Sequence, residues 1–205
     1  MRPVPWWALV SSGTAPLLLV GGWLVSASLQ GPGYDPVTET ISALAGGGAA
    51  DSWLMAGAIG GLGACHLVTA IGLRVAGAAG RLALAAGGVA SILVAFSPVP
   101  PSGGSMQHSA AAVVGYSFLA VWPVLAAYRR RAPAWGLRPM LGAMVTLVSL
   151  IGAGWFLLET WGHGEAGVAE RVVTGLQALW PLVVVVSCLE LEHVRHRRTA
   201  AADRA

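Results

Sequence analysis

The chain has 205 residues, of which 56% are hydrophobic and only 10% charged, and its mean hydropathy is +0.69. A water-soluble domain carries about 25% charged residues, so the composition excludes a protein wetted on all sides, and the length suits one domain. The net charge of +3 and isoelectric point near 9.4 do not indicate nucleic acid, because the twelve basic residues, all arginine, stand in short segments between apolar runs rather than on one soluble face.

Six apolar runs follow one another. The first, residues 6–29, is too long for the core of a signal peptide, about 7–15 residues, although Ser26, Ala27 and Ser28 resemble a small-residue cleavage site. About 20 apolar residues cross a bilayer at 1.5 Å of rise each, so this run is expected to remain as a first membrane helix. Residues 31–53 break the hydrophobicity and hold three of the nine acidic residues, Asp35, Glu39 and Asp51. Asp35 is placed to cap a helix, Pro36 fits a first helical position, and Gly46, Gly47 and Gly48 end the segment. Val37, Ile41 and Leu44 recur at helical spacing opposite Thr38, Glu39 and Ser42, which predicts a short amphipathic helix lying along the outer interface.

The further spans are expected at residues 53–73, 81–96, 108–128, 139–161 and 168–193, with a polar, arginine-rich tail at 194–205. A Pro/Gly/Ser loop at 97–107 cannot continue a helix, and Pro139 suits the start of the fifth span. With both termini cytoplasmic, Arg2, Arg74, Arg81, Arg129, Arg130, Arg131, Arg138, Arg195, Arg197, Arg198 and Arg204 lie inside and only Arg171 outside, the bias the positive-inside rule requires. Trp6, Trp7 and Trp135 then fall at the inner interface and Trp23, Trp53 and Trp161 near the outer one. The fold class is therefore all-α: a bacterial inner-membrane bundle of six transmembrane helices with one short extracytoplasmic helix.

Gly57 and Gly61 make a GxxxG pair, and Ala83 and Gly87 a second small pair, which let helix backbones approach closely. Packing within one bundle is the plainer reading, and a homodimer through Gly57 and Gly61 the alternative. Cys65 and Cys188 lie in apolar runs and read as free, buried thiols.

Ionisable residues are costly in lipid and face cavities or partners. They gather at the outer end: Asp35, Glu39, His108, Glu159, His163, Glu165, Glu170 and Arg171. Glu170, Thr174 and Gln177 form a polar stripe ~10 Å long on the sixth span, which suits a wet pocket or pairing with a neighbouring helix. Glu159, Asp35 and Glu39 are candidate partners for Arg171. Glu190, Glu192 and His193 head a solvated tail. His66 is expected to be a hydrogen-bonded interior histidine; no second histidine stands at its depth for a haem. The histidines and acids show no metal-ligand spacing, so no metal or cofactor is expected.

Tyr34-Asp35-Pro36 with Thr40-Ile41-Ser42-Ala43-Leu44, the proline-containing loop leading to His108, and Glu170-Arg171 opening the sixth span together carry a resemblance. Over residues 10–193 the chain resembles the six-helix prokaryotic integral membrane family catalogued as domain-of-unknown-function family 998. That family often has an acidic residue in the loop before the fourth span, and Ser97-Pro98-Val99-Pro100-Pro101 has none. The resemblance implies architecture and no activity.

Three functions remain open. One is a pocket, lined by Asp35, Glu39, His108, Glu159, Glu170, Arg171 and Gln177, that takes a lipid headgroup or small polar molecule from the extracytoplasmic side. The second is a membrane-embedded hydrolase or transferase acting on a lipid-like substrate, with His108 as general base beside Asp35 or Glu170. The third is a structural or assembly subunit without ligand. The partners expected are membrane lipid and such a ligand.

Overall fold

The structure, a computed structural model, describes residues 4–101, 104–127 and 134–202. Arg2, Arg129, Arg130, Arg131 and Arg204 of the charge count lie outside the described residues, as do Tyr128 of the fourth expected span and Ser102 and Gly103 of the loop before it. Among the described residues there are seven α-helices: α1 (Trp6–Ser28), α2 (Ile41–Leu44), α3 (Ser52–Gly72), α4 (Ala78–Ala95), α5 (Met106–Ala126), α6 (Pro139–Gly162) and α7 (Ala166–Ala202). All but α2 are long and apolar enough to cross a membrane, so this is a multi-span helical membrane protein. The helix at the end runs past the expected boundary at 193, carrying the arginine-rich tail on as helix to Ala202.

The six long helices form a ring in which chain neighbours are spatial neighbours. α1 packs on α3, α3 on α4, α4 on α5, α5 on α6 and α6 on α7, and α7 closes the ring against α1. The segment before α1 meets α7 at one end of this ring: the Val4 amide donates to Glu192 Oε1 at 3.0 Å, and Trp135 Nε1 donates to Glu190 Oε2 at 2.9 Å. These two glutamates therefore anchor the first helix and the turn before α6, where the sequence suggested only a solvated tail. The opposite end, here the loop end, carries residues 29–51, the connection from Phe96 to Ser105, and the turn from His163 to Glu165.

Two apolar clusters fill the interior. One, towards the chain termini, gathers Leu73, Leu84, Trp122, Leu137 and Val184; the other, towards the loop end, gathers Leu19, Ile41, Leu44, Met55 and Leu62. Helices approach closely where α3 crosses α4: a Cβ on Gly63 would stand 2.5 Å from the Gly88 carbonyl oxygen, and one on Gly88 would stand 2.6 Å from that of Gly63. Backbones touch here because neither residue has a side chain. Of the expected small pairs, Gly87 packs inward against Leu119 and Ala83 is buried, whereas Gly61 meets Leu18 and Gly57 has open space beside it.

α2 is much shorter than the amphipathic helix expected from Asp35. Residues 36–39 form a turn, and Thr40 caps the helix, its side chain accepting from the Ala43 amide at 3.0 Å. Ile41 and Leu44 point into the loop-end core, while Val37 is exposed. The segment therefore plugs into the bundle rather than lying along the interface. Four residues have too few internal hydrogen bonds to stay helical alone, so the contacts that dock α2 are also what make it a helix.

Candidate functional site

Two successive residues near the start of α7 hold the loop end together through opposite chemistry. The Glu170 carboxyl is buried and accepts from the Ile41 amide, from the Ser42 amide at 3.4 Å, and from the Ser42 hydroxyl at 2.9 Å. It thus meets amides that the first turn of a helix leaves without internal partners. The Tyr116 hydroxyl on α5 donates to it over a longer 3.4 Å. Arg171 turns the other way. Its Nη1 donates to the carbonyl oxygens of Gly167 at 2.7 Å and of Pro36 and Glu39 at 2.9 Å, and its Nη2 donates to the Tyr34 hydroxyl at 2.6 Å. The Trp23 ring lies 5.9 Å from the guanidinium carbon, within cation–π range. Arg171 thus grips carbonyl oxygens and a phenol rather than the carboxylates of Asp35, Glu39 or Glu159.

Gly167 completes the dock. A Cβ there would collide with the Glu39 carbonyl oxygen and stand 2.8 Å from Arg171 Nη1. The Val168 amide, one residue on, donates to the Val37 carbonyl at 3.1 Å. The start of α7 and residues 34–44 are therefore joined mainly through backbone atoms of the loop.

Asp35 caps its own turn. Its Oδ1 accepts from the Val37 amide at 2.9 Å and its Oδ2 from the Thr38 hydroxyl at 3.2 Å, while Glu39 Oε1 accepts from the Asp35 amide at 3.3 Å. Both side chains stay at the surface. Tyr34 is half-buried, and burial pushes its phenol above the usual 10.0, with Arg171 pulling the other way. Glu159 secures the α6–α7 turn, accepting from Trp155 Nε1 at 3.0 Å and the Glu165 amide at 2.8 Å. That turn closes at His163, whose φ of 56° is left-handed.

His108 is buried at the start of α5, under the Ser105 cap. Its Nδ1 lies 2.8 Å from the Ser97 carbonyl oxygen. A carbonyl only accepts, so Nδ1 carries the proton, and in the neutral ring Nε2 is left as an acceptor. The group that orients His108 is thus a loop carbonyl rather than Asp35 or Glu170, and among the described residues no carboxylate bonds to the ring.

His108 and Glu170 do share a cavity. A space of about 430 Å³ runs between α5 and α6, with Thr40, Ser42, His108, Thr160 and Glu170 at its polar end and Val113, Ala120, Leu150, Ala153 and Leu157 along its walls. α6 lies on the periphery, only 11% of its most apolar stretch being buried, the least of the six spans. Leu150, Leu157 and Trp161 are exposed at the margin, so the groove opens sideways, where lipid would lie.

Of the expected pocket residues, the structure brings His108 and Glu170 together on this groove. It places Arg171, Asp35 and Glu39 in the loop dock and Glu159 in the next turn. Gln177 is buried deeper, its Nε2 donating to the Tyr116 carbonyl at 3.2 Å. Sequence reasoning missed Tyr116 and Gly167, and it noted Tyr34 and Ser42 without placing them in the pocket. For Tyr116 a signal existed: His108, Ala112, Tyr116 and Ala120 recur every four residues along one face of α5, the face that lines the groove.

No curated protein and no solved structure matches the chain. The family model described as "Protein of unknown function (DUF998)" matches residues 14–187. That span reaches into all six membrane-length helices and takes in the loop dock and the groove, and the chain belongs to the DUF998 family.

Proposed function

We propose that the protein binds a lipid-like amphiphile in the groove between α5 and α6, with its polar head at the loop end. The observation that carries this reading is the shape of the 430 Å³ space: most of its polar groups at one end, walls along the spans that are mainly apolar save for Ser117, and an opening to the lipid-facing surface. The polar end is rich in acceptors, namely the Glu170 carboxyl, His108 Nε2 and the hydroxyls of Ser42 and Thr160, while Arg171 is engaged elsewhere. A head bearing hydroxyl or amine donors fits this set better than a bare anion. The arginines favour the loop end facing outwards across a bacterial plasma membrane: Arg74, Arg81, Arg138, Arg195 and Arg197 sit towards the chain termini and Arg171 alone at the loops. Binding is favoured over catalysis because His108 is oriented by the Ser97 carbonyl rather than by a carboxylate, and the Glu170 carboxyl is taken up by the α2 backbone and Ser42.

The test is lipid retention. Wild-type protein and an Ala153→Phe variant, which fills the groove from α6, are purified in mild detergent and their bound lipids identified by native mass spectrometry. Wild type retains an amphiphile with an amine or hydroxyl head and the variant loses it, with a matching loss of thermal stabilisation when that lipid is added back. Equal retention by both proteins refutes the proposal.

A further inference from the structure

A second cavity lies between the two apolar clusters, deeper than the groove. It measures about 80 Å³, and its polar lining is Ser42, His66, Ser91, Tyr116, Glu170, Thr174 and Gln177. Three of these side chains bond to backbone carbonyls: Ser91 donates to Gly87 at 3.0 Å, Thr174 to Glu170 at 2.7 Å and Gln177 to Tyr116 at 3.2 Å. His66 is the exception. It is fully buried, and neither of its ring nitrogens has a partner among the described residues.

An imidazole in this position is costly. The neutral ring has one donor and one acceptor, and a buried polar group without a partner costs about 1–3 kcal/mol. Apolar residues could have filled the same space, as Leu19, Ile59, Leu62 and Leu119 do around it. At ~30 Å³ of liquid volume per molecule, the cavity has room for two or three waters, and its polar walls supply the two to four partners that each buried water needs. The Gln177 amide oxygen, the hydroxyls of Ser91 and Thr174, and the Glu170 carboxyl stand in the same lining as His66.

We propose that this cavity is a hydration site: a cluster of two or three waters bridges His66 to Gln177 and Glu170, and exchanges with the loop-end solvent past Ser42 and Glu170. The chemical class of occupant is a small uncharged molecule that both donates and accepts hydrogen bonds. The site is separate from the amphiphile groove, although Ser42, Tyr116 and Glu170 line both, and it does not depend on that groove being occupied. It gives an imidazole in the interior of the bundle contact with water from one end only.

The experiment uses full-length protein labelled with ¹⁵N-histidine in lipid nanodiscs. Magnetisation transfer from water to the ring N–H is read by NMR, and the His66 signal is identified by its loss in His66→Gln. Transfer to His66 is expected in the wild type. It should fall by at least about tenfold in Gln177→Leu, which removes a polar wall, while the signals of the other histidines keep their positions and report an intact fold. Absence of water transfer to His66 in the wild type means a dry cavity and overturns the proposal. Undiminished transfer in Gln177→Leu overturns the bridging role of Gln177 and places the water elsewhere. Neither result bears on lipid retention in the groove.

Discussion

Replacing Glu170 with alanine tests the central feature of the loop end. The carboxyl is buried and accepts from the Ile41 amide, the Ser42 amide and the Ser42 hydroxyl. A hydrogen bond to a charged group contributes about 1.5–3 kcal/mol. Counting only the Ile41 amide and the Ser42 hydroxyl, the closer two, the loss is ~3–6 kcal/mol, before any entry of water into the vacated space. Because α2 has four residues and no independent stability, this loss should appear as local opening of the loop rather than as unfolding of the ring. Hydrogen exchange followed by mass spectrometry on peptides covering residues 34–50 measures it directly. At 1.4 kcal/mol per tenfold, even the lower figure speeds exchange at the amides of 41–44 by about a hundredfold, while peptides from the middle of α3 and α4 stay protected. Glu170→Gln keeps one acceptor oxygen and should fall between the two. Exchange in 41–44 that is unchanged in Glu170→Ala would refute the view that this carboxyl holds α2.

Further expectations concern neighbouring contacts. Gly167→Ala should destabilise the protein by about 1–3 kcal/mol, although glycine to alanine within a helix ordinarily stabilises by about 1 kcal/mol, because the new Cβ collides with the Glu39 carbonyl; thermal unfolding followed by tryptophan fluorescence gives the sign. Gly63→Ala and Gly88→Ala should each lower the melting temperature by separating α3 from α4, whereas Gly57→Ala, with open space beside it, should raise it slightly in dilute detergent. Tyr34 supplies a pH dependence. Its phenol is raised in the folded state, so its contribution is present below pH 10.0 and is lost as pH rises through the folded value. Spectrophotometric titration should find tyrosine ionising above its usual range, and Tyr34→Phe should reduce the amplitude of that component.

The sequence made the architecture readable because lipid imposes a coarse rule: every span needs about 20 apolar residues, and six runs of that kind are present. The loop was harder. Its hydrophobic spacing was seen correctly in that Ile41 and Leu44 share a buried face, yet periodicity alone cannot distinguish a helix lying on a membrane from one plugged into a bundle. Thr40 rather than Asp35 became the cap because the dock selects where helical geometry begins. Glu170 and Arg171 stood out as polar residues in an apolar run, but their partners are backbone amides and carbonyls, which every residue has and no sequence pattern marks. For the same reason Arg171 was assigned acidic partners that it does not use. The groove was visible only in part, because its walls are ordinary aliphatic residues whose meaning lies in the gap between two helices.

The distance along the chain between the two halves of the dock has a consequence for biogenesis. Ile41 and Glu170 are 129 residues apart, and four membrane-length helices lie between α2 and α7. During synthesis the loop after the first helix emerges early, but the residues that fasten it arrive with the last helix. Until then Ile41 and Leu44 have no carboxyl to hold their helix in place. Insertion of α7 is thus also the step that matures the first loop, and a nascent chain stalled before Ala166 would expose an unfastened segment to proteases or chaperones.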